Sequence, residues 1–254
     1  MPSWNIHMAH TQRLLTRKGG RALSVKNENA FRFGCLIPDI YVGWMVPGIE
    51  HKLPYAYTHM AIPGAIPCPN ELKFWNLYIA DREKQPYVSY ICDAEADSEA
   101  DAQELAQKLR YPMREDVNDA TLGAWAHLAT DNLWNAATRT FAFSHGWKPG
   151  DPLRIAKQHD FDLFGRTCDL GSAPTYSDEL AKCALAFDQY SIDACYAQAA
   201  CKVAQDIVEQ SRQAQLVEKD RYALDSYQLV DEVWMETTME RVDSFLYEVL
   251  SAHI

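Results

Sequence analysis

Residues 122–135 read Leu122-Gly-Ala-Trp-Ala-His127-Leu-Ala-Thr-Asp131-Asn-Leu-Trp-Asn135. His127, Asp131 and Asn135 recur at every fourth position. On a helix of about 3.6 residues per turn they line one face, about 6 Å apart per step. Trp125, Leu128, Leu133 and Trp134 fill the positions between them, so a helix expected over about 116–143 is buried on much of its circumference. A carboxylate taken out of water without a partner costs several kcal/mol, so Asp131 must be paired, hydrogen-bonded or metal-bound. A His-x-x-x-Asp pair on a helix can offer two ligands to one divalent ion, and it is also a common structural i,i+4 pair. Taken alone, the segment leaves both readings open.

Helical periodicity continues on either side. Leu180, Cys183, Ala184 and Phe187 recur at three- and four-residue steps, as do Ile192, Cys195 and Ala199. The same holds for Leu224, Tyr227, Val230, Val233 and Trp234, and for Val242, Phe245, Leu246, Val249 and Leu250. Stripes of this kind are packing surface. A first helix is expected from Ser3 to Thr16, with Ser3 as N-cap and Gly19-Gly20 as its stop. Six prolines (Pro38, Pro47, Pro54, Pro63, Pro67 and Pro69) divide the stretch from 35 to 70 into short pieces and loops. Further helices are expected at about 70–80 and 97–110. SHGWKPGDP (144–152) reads as a loop, RIAKQHDFDLFG as another short segment, and SAPTYSDE opens the C-terminal portion. The acidic run from Asp93 to Glu104 reads as the solvated start of a helix, because the D-x-D-x-D-G pattern of a calcium loop is missing. No alternating segment of strand length stands out. The chain is therefore expected to be all-α, a multi-helix bundle forming a single domain over 1–254.

The formal charge of −11 argues against a nucleic-acid groove, which needs clustered Lys and Arg, and against charge-driven binding to an anionic membrane. A bound divalent cation reverses the sign locally, so a small phosphate ester is not excluded as a ligand. The opening MPSWNIHMAHTQRLLTRKGG lacks the pattern of a signal peptide, and no stretch approaches the ~20 apolar residues of a membrane span. The seven cysteines (Cys35, Cys68, Cys92, Cys168, Cys183, Cys195 and Cys201) are odd in number, form no C-x-x-C pair and are expected as free thiols. These features together suggest a cytoplasmic protein. Seven tryptophans and thirteen tyrosines suit a well-packed interior.

Other residues with metal-ligand chemistry lie in apolar or loop surroundings. His7 sits on the first helix, three residues before His10, which is expected to be structural. Asp39 follows Pro38, His59 lies in YAYTHMAIPG, and KQHDFDLFG supplies His159, Asp160 and Asp162. His51, in a polar turn, is a minor candidate, and His145 and His253 carry no comparable context.

The order His7, Pro38-Asp39, Thr58-His59, LGAWAHLATD (122–131) and His159-Asp160-Phe161 resembles bacterial proteins of the zinc-dependent phospholipase C family. The opening MPSWNIH looks like the small intracellular branch of that family. The matching residues span about 1–165, whereas 175–254 carry no matching motif and are expected to close the bundle, cap a cleft or form a homodimer face. The resemblance implies the helical fold of the phospholipase C and P1 nuclease type and one to three zinc ions. His59, His127 and Asp131 would bind one ion, Asp39 would be a ligand or general base, and His7 would help bind another. His159, with Asp160 or Asp162, would supply the rest. Asn135 stands where many relatives carry a histidine. Trp4 is internal, whereas the secreted enzymes use the backbone of a mature N-terminal Trp. Both departures weigh against a full three-ion cluster. The implied activity is metal-dependent hydrolysis of a phosphodiester, either a phospholipid head group or another small diester. The alternative is a relative that has kept metal but lost turnover, with a binding or regulatory role. A P1-like nuclease fits the charge less well.

Overall fold

The computed structural model describes residues 2–17, 23–64, 66–81, 113–185, 189–217 and 226–251. The expected helix at 97–110, the acidic run, Gly19-Gly20, Cys92, Phe187, Leu224 and His253 lie outside the described residues. In chain order the helices are α1 (Trp4–Thr16), α2 (Glu28–Gly34), α3 (Ile37–Ile40), α4 (Tyr55–Thr58) and α5 (Glu71–Tyr78). After these come α6 (Asp119–Ser144), α7 (Asp151–Thr167), α8 (Asp178–Leu185), α9 (Ala194–Val217) and α10 (Glu232–Ser251). Among the described residues, β-pairing is confined to two isolated bridges, Ile62 with Cys68 and Ala80 with Met113. The fold is all-α.

Local chemistry sets the helix starts. Asn118, Asn27 and Asn70 cap α6, α2 and α5, their side chains accepting from the backbone N–H groups of Ala120, Ala30 and Lys73. Asp119 also reaches outward: its Oδ2 accepts from the N–H groups of Lys26 and Asn27, which ties the start of α2 to the start of α6. At α1 the expected N-cap residue stands in place, but the Ser3 side chain makes no capping bond. The proline-rich stretch holds α3 and α4, each only four residues long. The segment around RIAKQHDFDLFG is a full helix of 17 residues, α7, with Pro152 in its first turn.

The long central helix α6 organises the core. Trp125 and Trp134 on α6, Trp4 on α1, Trp75 on α5 and Phe31 and Phe33 on α2 are all fully buried. Helices α2 and α6 cross at two glycines. A Cβ on Gly123 would lie 2.2 Å from the Phe31 carbonyl oxygen, and one on Gly34 would lie 2.2 Å from that of Ala120. Neither position has room for a side chain, so the two backbones are in direct contact.

The C-terminal helices share this core. α10 packs on α1 and α6, and α9 packs on α7 and α8. A buried polar chain also fastens α10. Trp134 donates its indole N–H to His10 Nε2 at 2.8 Å, so His10 carries its proton on Nδ1 and gives it to Asp243 Oδ1 at 2.6 Å. Arg13 donates to the other oxygen of Asp243. His10 therefore has the structural placement expected of it.

Candidate metal centre

His7 from α1, Asp39 from α3, His59 at the C-cap of α4, and His127 and Asp131 from α6 converge in the interior. His59, His127 and Asp131 are 0% exposed, His7 2% and Asp39 4%. Two overlapping sets of ligand atoms result: His59, His127 and Asp131 form one, and His7, Asp39 and His127 the other, each within 4.8 Å of one another.

Hydrogen bonds around the cluster fix how the rings point. His127 Nδ1 lies 2.7 Å from the carbonyl oxygen of Cys35. A carbonyl can only accept, so the proton is on Nδ1 and Nε2 is turned into the cluster. Cys35 lies directly after Gly34, so the glycine crossing brings this carbonyl within reach. His59 Nδ1 lies 2.8 Å from Thr58 Oγ1, whose own proton goes to the Tyr55 carbonyl oxygen at 3.3 Å. His59 Nδ1 is therefore the donor, and its Nε2 also faces inward. Met60 follows in the left-handed region at φ 49°, turning the chain sharply after His59.

The two Nε2 atoms are 3.1 Å apart. His59 Nε2 is also 3.4 Å from Asp131 Oδ2 and 3.5 Å from Asp39 Oδ1, while His127 Nε2 lies 4.0 Å and 3.9 Å from the nearer oxygens of the same carboxylates. Zinc–ligand bonds of about 2.0–2.1 Å in tetrahedral geometry put neighbouring ligand atoms about 3.3 Å apart. The observed spacings suit such a set, and the donors are the imidazole and carboxylate types that zinc takes.

Burial sets the protonation of the cluster. It holds the His59 ring well below the ordinary histidine pKa and, together with the facing His127, brings His7 down to about 3, so both rings are neutral at pH 7. Burial also pushes Asp39 up to about 6, partly relieved by His127. Burial works the same way on Asp131, but the surrounding His7, His127 and His59 rings outweigh it and hold that carboxyl below its ordinary value. His7 stacks on His127 with centroids 3.7 Å apart, its Nε2 3.2 Å from Asp131 Oδ1 but out of line for a hydrogen bond. Both ring nitrogens of His7, Asp39 Oδ1 and Asp131 Oδ1 are buried without a hydrogen-bond partner. Lone pairs crowded in this way could hold a divalent ion.

Two further groups orient the carboxylates. Trp4 donates its indole N–H to Asp39 Oδ2 at 3.1 Å. Tyr55 donates its hydroxyl to Asp131 Oδ2 at 2.6 Å and stacks on His59 with centroids 3.7 Å apart. Burial, reinforced by the Asp131 charge, holds the Tyr55 phenol well above its usual pKa, so it remains a donor. Sequence reasoning missed both roles, although helical spacing offered a signal: Trp4 precedes His7 by three residues, and Tyr55 precedes His59 by four.

The structure does not bring His159 and Asp160 into the cluster. Asp160 is fully buried, but its oxygens accept from the backbone N–H groups of Gln228, Leu229 and Val230 at 2.7, 2.7 and 3.0 Å. A carboxylate committed to three amides fixes the approach to α10. His159 Nδ1 stands 3.1 Å from Asp160 Oδ1 with its side chain 35% exposed, and Asp162 accepts from Gln158. Asn135 is buried one helical turn beyond Asp131 and is bound to Lys157 and the Pro67 carbonyl. Comparison with family models, with curated proteins and with solved structures returned no match.

Proposed function

We propose that the chain binds zinc through His59, His127 and Asp131, with His7 helping to hold a second, weaker position and Asp39 standing beside the metal as general base, and that it hydrolyses a small phosphodiester. The observation that carries the metal reading is the pair of inward-facing imidazole nitrogens 3.1 Å apart, walled by carboxylate oxygens. The reaction class rests on the order of His7, Asp39, His59, His127 and Asp131, which resembles the zinc-dependent phospholipase C family. A zinc ion at this position would supply Lewis-acid charge toward phosphoryl oxygens and lower the pKa of water toward ~7.

The chain's own groups would do the rest. Asp39 accepts the proton of the attacking water at Oδ1, the oxygen left without a hydrogen bond, while Trp4 steadies Oδ2. Burial raises the Asp39 pKa in the metal-free chain, whereas a neighbouring zinc would favour the ionised form that can accept a proton. Tyr55 holds Asp131 in place, and the Cys35 carbonyl and Thr58 hydroxyl keep the two imidazoles in the tautomer that points inward.

A second reading, a closed metal centre without turnover, is favoured by the near-complete burial of all five residues. Catalytic zinc sites keep a position open to water or substrate, and structural ones are closed. Elemental analysis together with turnover of a chromogenic phosphodiester separates the two. Zinc retained through chelator-free purification, lost in His127→Ala and Asp131→Ala, and accompanied by turnover that falls in Asp39→Asn, supports the hydrolase. Zinc without turnover leaves the closed centre, and metal-free protein that takes up no added zinc refutes both.

A further inference from the structure

Asp39 stands on α3 and His59 at the end of α4, and each of these helices is only four residues long. A single helical turn is not stable by itself, so the residues it carries are placed by whatever holds the turn. Neither α3 nor α4 has a side-chain cap at its start. At the end of α4, the Tyr55 and Tyr57 carbonyls accept from the backbone N–H groups of His59 and Met60 at 2.9 and 3.2 Å. The Thr58 carbonyl takes side-chain donors instead, the Tyr190 hydroxyl at 2.8 Å and the Gln189 amide at 3.4 Å. The Gln189 amide also donates to the Tyr57 carbonyl.

Both donors come from the turn between α8 and α9, 131 and 132 residues further along the chain. The same turn reaches the end of α3. The hydroxyl of Tyr41, the C-cap residue of α3, accepts from the Asp193 N–H at 3.1 Å. It faces the Ser191 carbonyl oxygen and Asp193 Oδ2 at 3.3 and 3.4 Å. Ser191 between them adopts φ 43°, a left-handed conformation that a residue with a side chain keeps only where its surroundings hold it. Tyr190 is 2% exposed and Ile192 0%, so the turn is anchored in the core on either side of Ser191. Burial, with Tyr78 and Asp39 adding to it, holds the Tyr190 phenol well above its usual pKa, and the hydroxyl remains a donor. Residues 189–193 thus meet the ends of both short helices.

Resting on the zinc reading, we propose that Tyr190 is a positioning residue of the metal centre, its hydroxyl holding, through the Thr58 carbonyl, the peptide that leads into His59. That peptide sets where the His59 side chain begins. Thr58 also carries the hydroxyl that receives the His59 Nδ1 proton at 2.8 Å. Fixing Thr58 at its carbonyl therefore fixes both the root of the His59 ring and the partner that aims Nε2 at His127. The C-terminal portion supplies neither set of ligand atoms, and it enters the centre by this route.

The test is zinc competition against a chelator of known affinity, on the full chain at a temperature where every variant is folded. Tyr190→Phe removes the hydroxyl alone and is expected to lower zinc affinity about 10-fold, the low end for groups that orient a metal ligand. Ser24→Ala is the control, since it deletes a hydroxyl donor to another backbone carbonyl, that of Leu250 at 2.8 Å, and should leave the affinity as it is. The second readout is the visible absorption of the cobalt(II)-loaded protein, which follows ligand geometry. It should change in Tyr190→Phe and stay the same in Ser24→Ala. Gln189→Leu removes the other donor to the Thr58 carbonyl and should move both readouts in the same direction by less. A Tyr190→Phe protein with a lower melting temperature but wild-type zinc affinity and cobalt spectrum would show a purely structural role and overturn the proposal. An equal loss of affinity in Ser24→Ala overturns it as well. If Tyr190→Phe does not fold, Gln189→Leu decides, and unmoved readouts there refute the positioning role. Wild-type protein that takes up no zinc overturns the metal reading itself and the proposal with it.

Discussion

Replacing Gly123 with alanine tests the link between helix packing and the metal centre. The added methyl would stand 2.2 Å from the Phe31 carbonyl oxygen, 2.8 Å from Gly34 Cα and 2.9 Å from the Cys35 nitrogen. A carbon and a carbonyl oxygen tolerate about 3.3 Å, so α2 and α6 must separate by roughly 1 Å. All three obstacles are backbone, and no side-chain rotation relieves them. Overpacking of this kind costs about 1–3 kcal/mol, and the better helix propensity of alanine returns up to about 1 kcal/mol. A net loss of about 1–2 kcal/mol is expected in urea unfolding of the metal-free protein. The same shift would stretch the 2.7 Å bond from His127 to the Cys35 carbonyl beyond hydrogen-bond range. Loss of such an orienting partner lowers metal affinity by about 10–100-fold, measurable by competition against a zinc chelator of known affinity. A variant as stable as wild type would refute the steric argument. A variant that loses stability but keeps its zinc affinity would show that the crossing does not set the orientation of His127.

Four other outcomes are expected. Tyr55→Phe removes the donor to Asp131 and should lower zinc affinity by about 10-fold, read in the same competition assay. Glu71, fully buried with both oxygens accepting from the Asn132 amide, is raised by burial to about 7. The folded chain thus holds a proton that the unfolded chain releases from about pH 4.5 upward, and stability should fall as pH rises from there toward 7. At about 1.4 kcal/mol per pH unit the loss is at most about 3 kcal/mol, and Glu71→Gln should abolish that slope in pH-dependent urea melts. His7 and His59 act with the opposite sign: their depressed pKa values give stability that is present above about 6.5 and lost as pH falls toward about 3, so the metal-free protein should show an acid limb that weakens in His7→Phe. Asp243→Ala leaves the buried His10 proton without an acceptor and should cost about 3 kcal/mol with zinc stoichiometry unchanged, checked by unfolding and elemental analysis.

What was legible in the sequence was the local part. His127 and Asp131 share a face by spacing alone, and the apolar residues around them announced a buried helix. Asp39, His59 and His7 were found only through the order of short motifs, since a Pro-Asp or Thr-His dipeptide says nothing by itself. The glycine crossing was not legible, because neither Gly34 nor Gly123 signals in sequence that the other is its neighbour. His159 and Asp160 illustrate the same limit. A histidine followed by an aspartate looks the same whether it serves a metal or a backbone, and the amides that claim Asp160 lie 68 to 70 residues further on. Tyr190 gave no signal, since the Thr58 carbonyl it holds lies 132 residues away.

The scattering of the ligands along the chain has a consequence for how the protein reaches its folded state. His59 and His127 meet across 68 residues, and His7 and Asp131 lie further apart still. An ion joined to such a pair acts as a cross-link, and a covalent one closing a loop of that length would take on the order of 4 kcal/mol of freedom from the unfolded chain. No two adjacent segments can assemble the site, so it forms only after α1, α3, α4 and α6 have found one another, late on the folding path. If the cluster holds the proposed ion, that ion has no complete coordination shell until then, and once the shell exists the binding energy would count as folding energy. A chelator should then act as a denaturant that works through a handful of residues in the interior.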